Sequence, residues 1–207
     1  MKQLTGQDAS FLYLESAGAH LNLTAVYIYE QPKAPAATLV FDDMVRHLKS
    51  RLGGSDLFRQ KLVRPPLDLD YPYWADDPDF DLTRHLHRYT ESRPRNRRQL
   101  FDLVAKLHAR PLDLSHPPWE MYVLEKPGPF EDLPANCFAI IARYHHAAID
   151  GASGSQLVDR LHDPQPSAIT GADEGQETWS AKPEPGMTDM LVRGLFNNLG
   201  APIKIFK

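Results

Sequence analysis

The chain has 207 residues, 42% of them hydrophobic and 24% charged, which is the balance of a globular protein rather than a disordered one. With 23 Lys and Arg against 27 Asp and Glu, the formal net charge is -4, so there is no global basic field to hold nucleic acid and no such partner is expected. The single cysteine, Cys137, can build neither an intrachain disulfide framework nor a thiolate zinc cage, which fits a reducing compartment.

The opening, Met1 to Asp8, lacks the charged region and unbroken apolar run of a signal peptide. The most apolar stretch, around Cys137 to Ile141, is far shorter than the roughly 20 residues of a spanning helix. A cytoplasmic protein with at most peripheral membrane contact is expected.

Leu21 to Tyr29 is rich in β-branched and aromatic residues and reads as the first strand. Thr38 can cap a helix in which Phe41, Met44, Val45, Leu48 and Leu52 recur at helical spacing, stopped by Gly53-Gly54. Short strands are expected at Phe58 to Val63, Tyr71 to Trp74 and His85 to Tyr89. A second helix spans Gln99 to Arg110, with Leu100, Leu103, Val104 and Leu107 on one stripe and Pro111 ending it. Strands follow at Trp119 to Leu124 and Ala135 to His145, and a third helix from about Ser153 to Leu161.

From Pro164 to Gly186 the composition becomes that of a linker. Beyond it, Met187, Met190, Leu191, Leu195 and Leu199 mark an amphipathic helix with Thr188 as its cap. Such a helix needs a partner: it either folds back on the domain or joins a second domain or a lipid surface. The expected organisation is a domain over 1–163, a flexible linker over 164–186, and a helix and tail over 187–207.

The chemistry is concentrated in Arg143-Tyr144-His145-His146-Ala147-Ala148-Ile149-Asp150-Gly151, where a strand gives way to a helix. Strand alternation places Phe138, Ile140, Ala142, Tyr144 and His146 on one face, and Cys137, Ala139, Ile141, Arg143 and His145 on the other. His146 thus ends an apolar face, a setting in which a neutral imidazole can act as a general base. The bland alternative is a satisfied core histidine. His145, beside Arg143, is expected to make a structural hydrogen bond.

Adjacent strand histidines diverge too far to share one metal ion easily, so no metal is expected. Asp150 can orient His146 as in a triad, yet no Ser or Cys nucleophile sits in a recognisable elbow nearby. Spacing therefore suggests base catalysis without a covalent intermediate, the substrate bringing its own nucleophile.

The arrangement H-H-x-x-x-D-G, filled here by His145, His146, Asp150 and Gly151, resembles the signature of CoA-dependent acyltransferases related to chloramphenicol acetyltransferase. Two more segments narrow the likeness. Leu4-Thr5-Gly6-Gln7-Asp8-Ala9-Ser10-Phe11-Leu12-Tyr13-Leu14-Glu15 is similar to the opening of bacterial wax ester synthase/diacylglycerol acyltransferases. Pro111-Leu112-Asp113-Leu114-Ser115-His116-Pro117-Pro118-Trp119-Glu120 resembles their P-L-D-x-x-x-P-x-W-E block.

This resemblance implies an α/β fold, a mixed sheet with packed helices, equivalent to the N-terminal half of a two-domain acyltransferase. It implies acyl-CoA as a substrate, with no bound cofactor, and diacylglycerol or a long-chain alcohol as acceptor. His146 would be the base, Asp150 a supporting residue and Gly151 the residue that permits the turn. Relatives pair two similar halves, so a C-terminal half or a second copy is the expected partner, along with a membrane or lipid droplet. An acyltransferase or condensation domain for carrier-bound substrates, and a catalytically silent lipid- or partner-binding half, are the alternatives. Trp119 and Glu120 read better as a packed strand start than as substrate contacts. The cluster Arg93 to Arg98 reads better as a solvated face than as a phosphate site.

Overall fold

The computed structural model describes residues 2–31, 41–52, 56–125, 136–149, 161–162 and 179–204, with side chains to residue 199. The chain opens with strand β1 (Lys2–Gln3), helix α1 (Gly6–Tyr13), strand β2 (Asn22–Glu30) and helix α2 (Phe41–Leu52). Two short strands follow, β3 (Gln60–Val63) and β4 (Tyr73–Asp76), then β5 (Leu86–Arg88), helix α3 (Arg97–His108) and strands β6 (Trp119–Glu125) and β7 (Cys137–His145). Helix α4 (Met187–Lys204) closes the described chain.

The fold is mixed α/β, with its strands divided between two sheets. A three-stranded sheet runs β1-β4-β3 and a four-stranded sheet runs β2-β7-β6-β5, in which only the β5–β6 pairing is parallel. All nine residues of β7 are buried, because it has a strand on each side and a helix layer on each face. Phe138, Ile140, Ala142 and Tyr144 meet Met44, Leu48 and Leu52 of α2, while Ala139 and Ile141 meet Leu100, Leu103 and Leu107 of α3. The alternation read from the sequence thus holds along the strand. A run buried on both faces is the pattern of a central strand.

Helix α2 carries Asp42 and Asp43 in its first turn and Lys49 and Arg51 in its last, matching the helix dipole at both ends. Helix α3 begins at Asn96, whose side chain accepts the Gln99 N–H at 2.9 Å, while Gln99 Oε1 accepts the Arg95 N–H at 2.8 Å. Those reciprocal bonds satisfy backbone donors that a helix start leaves open.

Several sequence expectations shift. The chain does not begin its strands at residue 21, since β1 precedes and pairs with β4. Phe58 belongs to a short 3-10 turn, Asp56–Phe58, and the strand begins at Gln60. Helix α1 was not expected at all. Its stop-and-start chemistry is local: the Asp8 N–H donates to Thr5 Oγ1 at 3.1 Å, and the Thr5 hydroxyl donates to Asp8 Oδ2 at 2.7 Å. Ala9 and Leu12 then bury one stripe with Leu4 and Ala147. The helix expected from Ser153 lies, except for Leu161, outside the described residues, as do the Thr38 cap and Gly53-Gly54.

Residues 179–186 lie against the three-stranded sheet. Arg59 sits over the Trp179 ring at 4.4 Å, the Lys182 N–H donates to Asp76 Oδ2 at 3.0 Å, and Lys61 pairs with Glu184 at 2.7 Å. Helix α4 then folds back through its polar side: Asn197 and Asn198 donate to Asp70 Oδ2 at 2.7 Å and the Leu69 carbonyl at 2.6 Å, and Met190 is buried. Val192, Leu195, Phe196 and Leu199 are exposed. At 100° per residue these four fall on the side of the helix opposite Met190 and Asn197.

Candidate active site

The site is built where β7 ends. The His145 N–H donates to the Pro118 carbonyl at 2.9 Å and the His146 N–H to the Leu21 carbonyl at 2.8 Å, so the flanking strands hold the chain to the last residue of the ladder and one beyond. A 3-10 turn, His146–Ala148, starts at once, capped by the His145 ring: the Ala147 N–H donates to His145 Nδ1 at 3.1 Å. The structural hydrogen bond expected of His145 is therefore present.

That bond fixes the His145 tautomer. Nδ1 accepts, so the neutral ring carries its proton on Nε2, which lies 3.5 Å from Glu15 Oε2. Burial pulls the His145 pKa below the ordinary histidine value, against the opposing pull of Glu15. Glu15 Oε1 also accepts the Leu21 N–H at 3.2 Å and meets His20 Nδ1 at 3.3 Å. One carboxylate thus joins the end of the α1 segment to His145 and to the residue whose carbonyl holds His146.

His146 is partly exposed, unlike His145. Its N–H still bonds toward the β2 side, as the ladder does, and the 3-10 turn bends the chain from there on. Its ring lies on Phe11 of α1, with centroids 3.8 Å apart and planes 17° from parallel. His146 Nδ1 is buried and has no hydrogen-bond partner. The nitrogen left to meet a substrate is Nε2. Asp150 and Gly151 lie outside the described residues.

Among the described residues no three His, Cys, Asp or Glu side chains converge to hold a metal ion. Cys137 is buried at the far end of β7, about 27 Å along the strand from His145. Burial pushes its thiol pKa up, away from the thiolate a nucleophile needs.

The Pro111 to Glu120 block supports the strand end from below. Trp119 is 1% exposed, donates its indole N–H to the Phe58 carbonyl at 3.1 Å, and stacks on His85 at 4.6 Å. Glu120 Oε2 accepts from the fully buried Arg143 at 2.8 Å and from the Tyr122 hydroxyl at 2.8 Å. Arg143 also donates to the Arg110 carbonyl. Asp113 Oδ1 accepts from the Ser115 N–H and hydroxyl at 2.9 and 2.6 Å. A groove of about 360 Å³ beside this block is lined by Arg84, His85, Asp113 and His116, yet His116 is already engaged by Asp77 at 3.0 Å and Arg84 at 2.7 Å. The packed-strand reading of Trp119 and Glu120 describes what these side chains do. Residues 95–99 are exposed, in keeping with a solvated face.

The sequence pattern of the family described as "Wax ester synthase/diacylglycerol acyltransferase catalytic domain" matches residues 4–205. The chain belongs to this family. A Mycobacterium tuberculosis member, "Probable diacyglycerol O-acyltransferase tgs3", is 33% identical over 204 residues, covering 97% of this chain and 69% of its own. The solved wax ester synthase/diacylglycerol acyltransferase from Marinobacter aquaeolei VT8 is 26% identical with a TM-score of 0.57, over 77% of this chain and 38% of that one. The starter condensation domain of rhizomide synthetase RzmA, 15% identical with a TM-score of 0.51 over 77% of this chain and 36% of that one, shares the fold. The chain therefore spans 38% of this solved relative and 69% of the mycobacterial one.

Sequence reasoning missed the parts played by Phe11 and Glu15 in this family member. Both sit in the segment that carries the family likeness. The signal that finds them is the Thr5–Asp8 cap followed by Ala9 and Leu12, which turns the segment into a helix aimed at residues 146–148.

Proposed function

We propose that this chain carries the base of an acyl-CoA-dependent O-acyltransferase whose acceptor is diacylglycerol or a long-chain alcohol. The observation that supports this most is the His146 ring itself: partly exposed, stacked on Phe11, and with Nδ1 shut away so that Nε2 faces outward. An alcohol is far too weak an acid to ionise unaided, so its attack on a thioester requires proton removal in the transition state. His146 Nε2 takes the hydroxyl proton as the alcohol oxygen bonds to the acyl carbon. The carbon–sulfur bond then breaks, and the proton passes to the departing sulfur, leaving triacylglycerol or wax ester and free CoA. Asp150 is read as a supporting residue rather than a proton carrier, and His145 holds the turn through Ala147.

Family membership and the names of the relatives support the reaction class, and a second acyltransferase half or a second copy is the proposed complement to the site. The exposed row Val192, Leu195, Phe196 and Leu199 of α4 suits contact with the lipid surface from which such acceptors come. The proposed contact is a peripheral one; no described helix is long and apolar enough to cross a membrane. Flotation with liposomes tests it: the protein is expected to float, and recovery wholly in the unbound fraction contradicts it.

The test of the reaction is thiol release from palmitoyl-CoA with and without hexadecanol or a diacylglycerol. Acceptor-dependent release is expected. Release only from a carrier-bound acyl thioester instead moves the chain to the condensation-type chemistry of its structural neighbours.

A further inference from the structure

A base histidine is usually aimed by a hydrogen bond at its second ring nitrogen, whose N–H most often donates to a carboxylate or carbonyl. His146 has no such bond: Nδ1 is buried without a partner. The backbone of His146 is anchored at Leu21, but that anchor leaves the side-chain torsion free. What meets the ring is the face of Phe11, nearly parallel at 3.8 Å. Swinging the imidazole a quarter turn about its Cβ–Cγ bond would drive its edge into the phenyl ring. The phenyl ring in turn stands on a capped helix whose Ala9 and Leu12 are buried against Ala147, the residue next to His146.

We infer that Phe11 is a positioning residue that fixes the plane of the His146 imidazole, the task a hydrogen-bonded carboxylate performs in other base histidines. The inference rests on the reading of His146 as the base. It also explains why α1 belongs beside the site: its contribution is an aromatic plane, not a proton carrier. Phe11 is only partly buried, so replacing it removes stacking without opening a deep core cavity.

The experiment compares the full-length wild type with Phe11→Leu, Phe11→Tyr and His146→Ala. It reads acceptor-dependent thiol release and the NMR resonance of the His146 Cε1 proton, which the ring current of a parallel phenyl displaces. Phe11→Leu is expected to lower kcat by about 10- to 100-fold with the acceptor KM within about threefold, the signature of a misplaced catalytic group. Its His146 resonance loses the displacement. Phe11→Tyr, which keeps the stacked ring, retains both the rate and the resonance. A folded Phe11→Leu with wild-type kcat, or a loss confined to KM, overturns the inference while leaving His146 as the base. Equal turnover by wild type and His146→Ala removes the base and with it the role of Phe11, and the changed resonance then records a packing contact alone.

Discussion

Glu15 and His145 meet at 3.5 Å between Oε2 and Nε2, and through this contact the N-terminal segment is tied to the end of the central strand. The same carboxylate accepts the Leu21 N–H, and the Leu21 carbonyl accepts the His146 N–H. Glu15 thus clamps the two strand ends on which the site is mounted. Glu15→Gln keeps the shape and the acceptor oxygen but loses the charge. Its expected effect is a fall in the His145 pKa, since the opposing pull of the carboxylate is removed. Histidine NMR titration checks this, and an unchanged His145 titration contradicts the contact.

The cap of α1 sets how firmly Phe11 is presented. Thr5→Ala removes the acceptor of the Asp8 N–H and is expected to cost about 1 kcal/mol of stability. Urea unfolding measures it. A Thr5→Ser variant, which keeps both the acceptor of the Asp8 N–H and the hydroxyl that donates to Asp8 Oδ2, is expected to retain most of the stability.

Arg143 is 0% exposed and its charge is answered by Glu120. Glu120→Ala leaves that guanidinium buried without its carboxylate, at an expected cost of about 3–5 kcal/mol. Glu120→Gln keeps a hydrogen-bond acceptor and is expected to cost less. Equal, near-zero losses in both variants would show that Arg143 finds other compensation.

Burial holds both His85 and His145 below the ordinary histidine pKa, partly opposed by the Trp119 carbonyl and by Glu15 respectively. The unfolded chain therefore binds more protons than the folded one in the window below about pH 6.5. Stability is fully present above that value and is lost as pH falls through it, by up to about 1.4 kcal/mol per pH unit for each histidine. His85→Gln is expected to flatten the profile between pH 6.5 and 5. A wild type equally stable at pH 7.5 and pH 5 would contradict the account.

Much of the fold was legible in the sequence because long elements carry strong periodicity. The β-branched and aromatic runs of β2, β6 and β7 and the leucine stripe of α3 gave those elements within a few residues. The small sheet was not legible as a separate layer, since β1, β3 and β4 are two to four residues long and their pairing joins Lys2 to Trp74. At the site, the two histidines and a structural hydrogen bond of His145 followed from the strand pattern; that the bond caps a 3-10 turn did not. What the His146 ring meets did not follow either. Its contact with Phe11 lies between elements far apart in sequence, and a helix as short as α1 leaves little periodicity to read.

The central claim is that His146 takes the acceptor's proton, and the most direct measurement is acceptor-dependent CoA release by the full-length protein and by His146→Ala. The account predicts that release rises with hexadecanol or diacylglycerol in the wild type and falls by about 100-fold or more in a variant that keeps the wild-type fold by circular dichroism. A folded His146→Ala that releases CoA at the wild-type rate would contradict it.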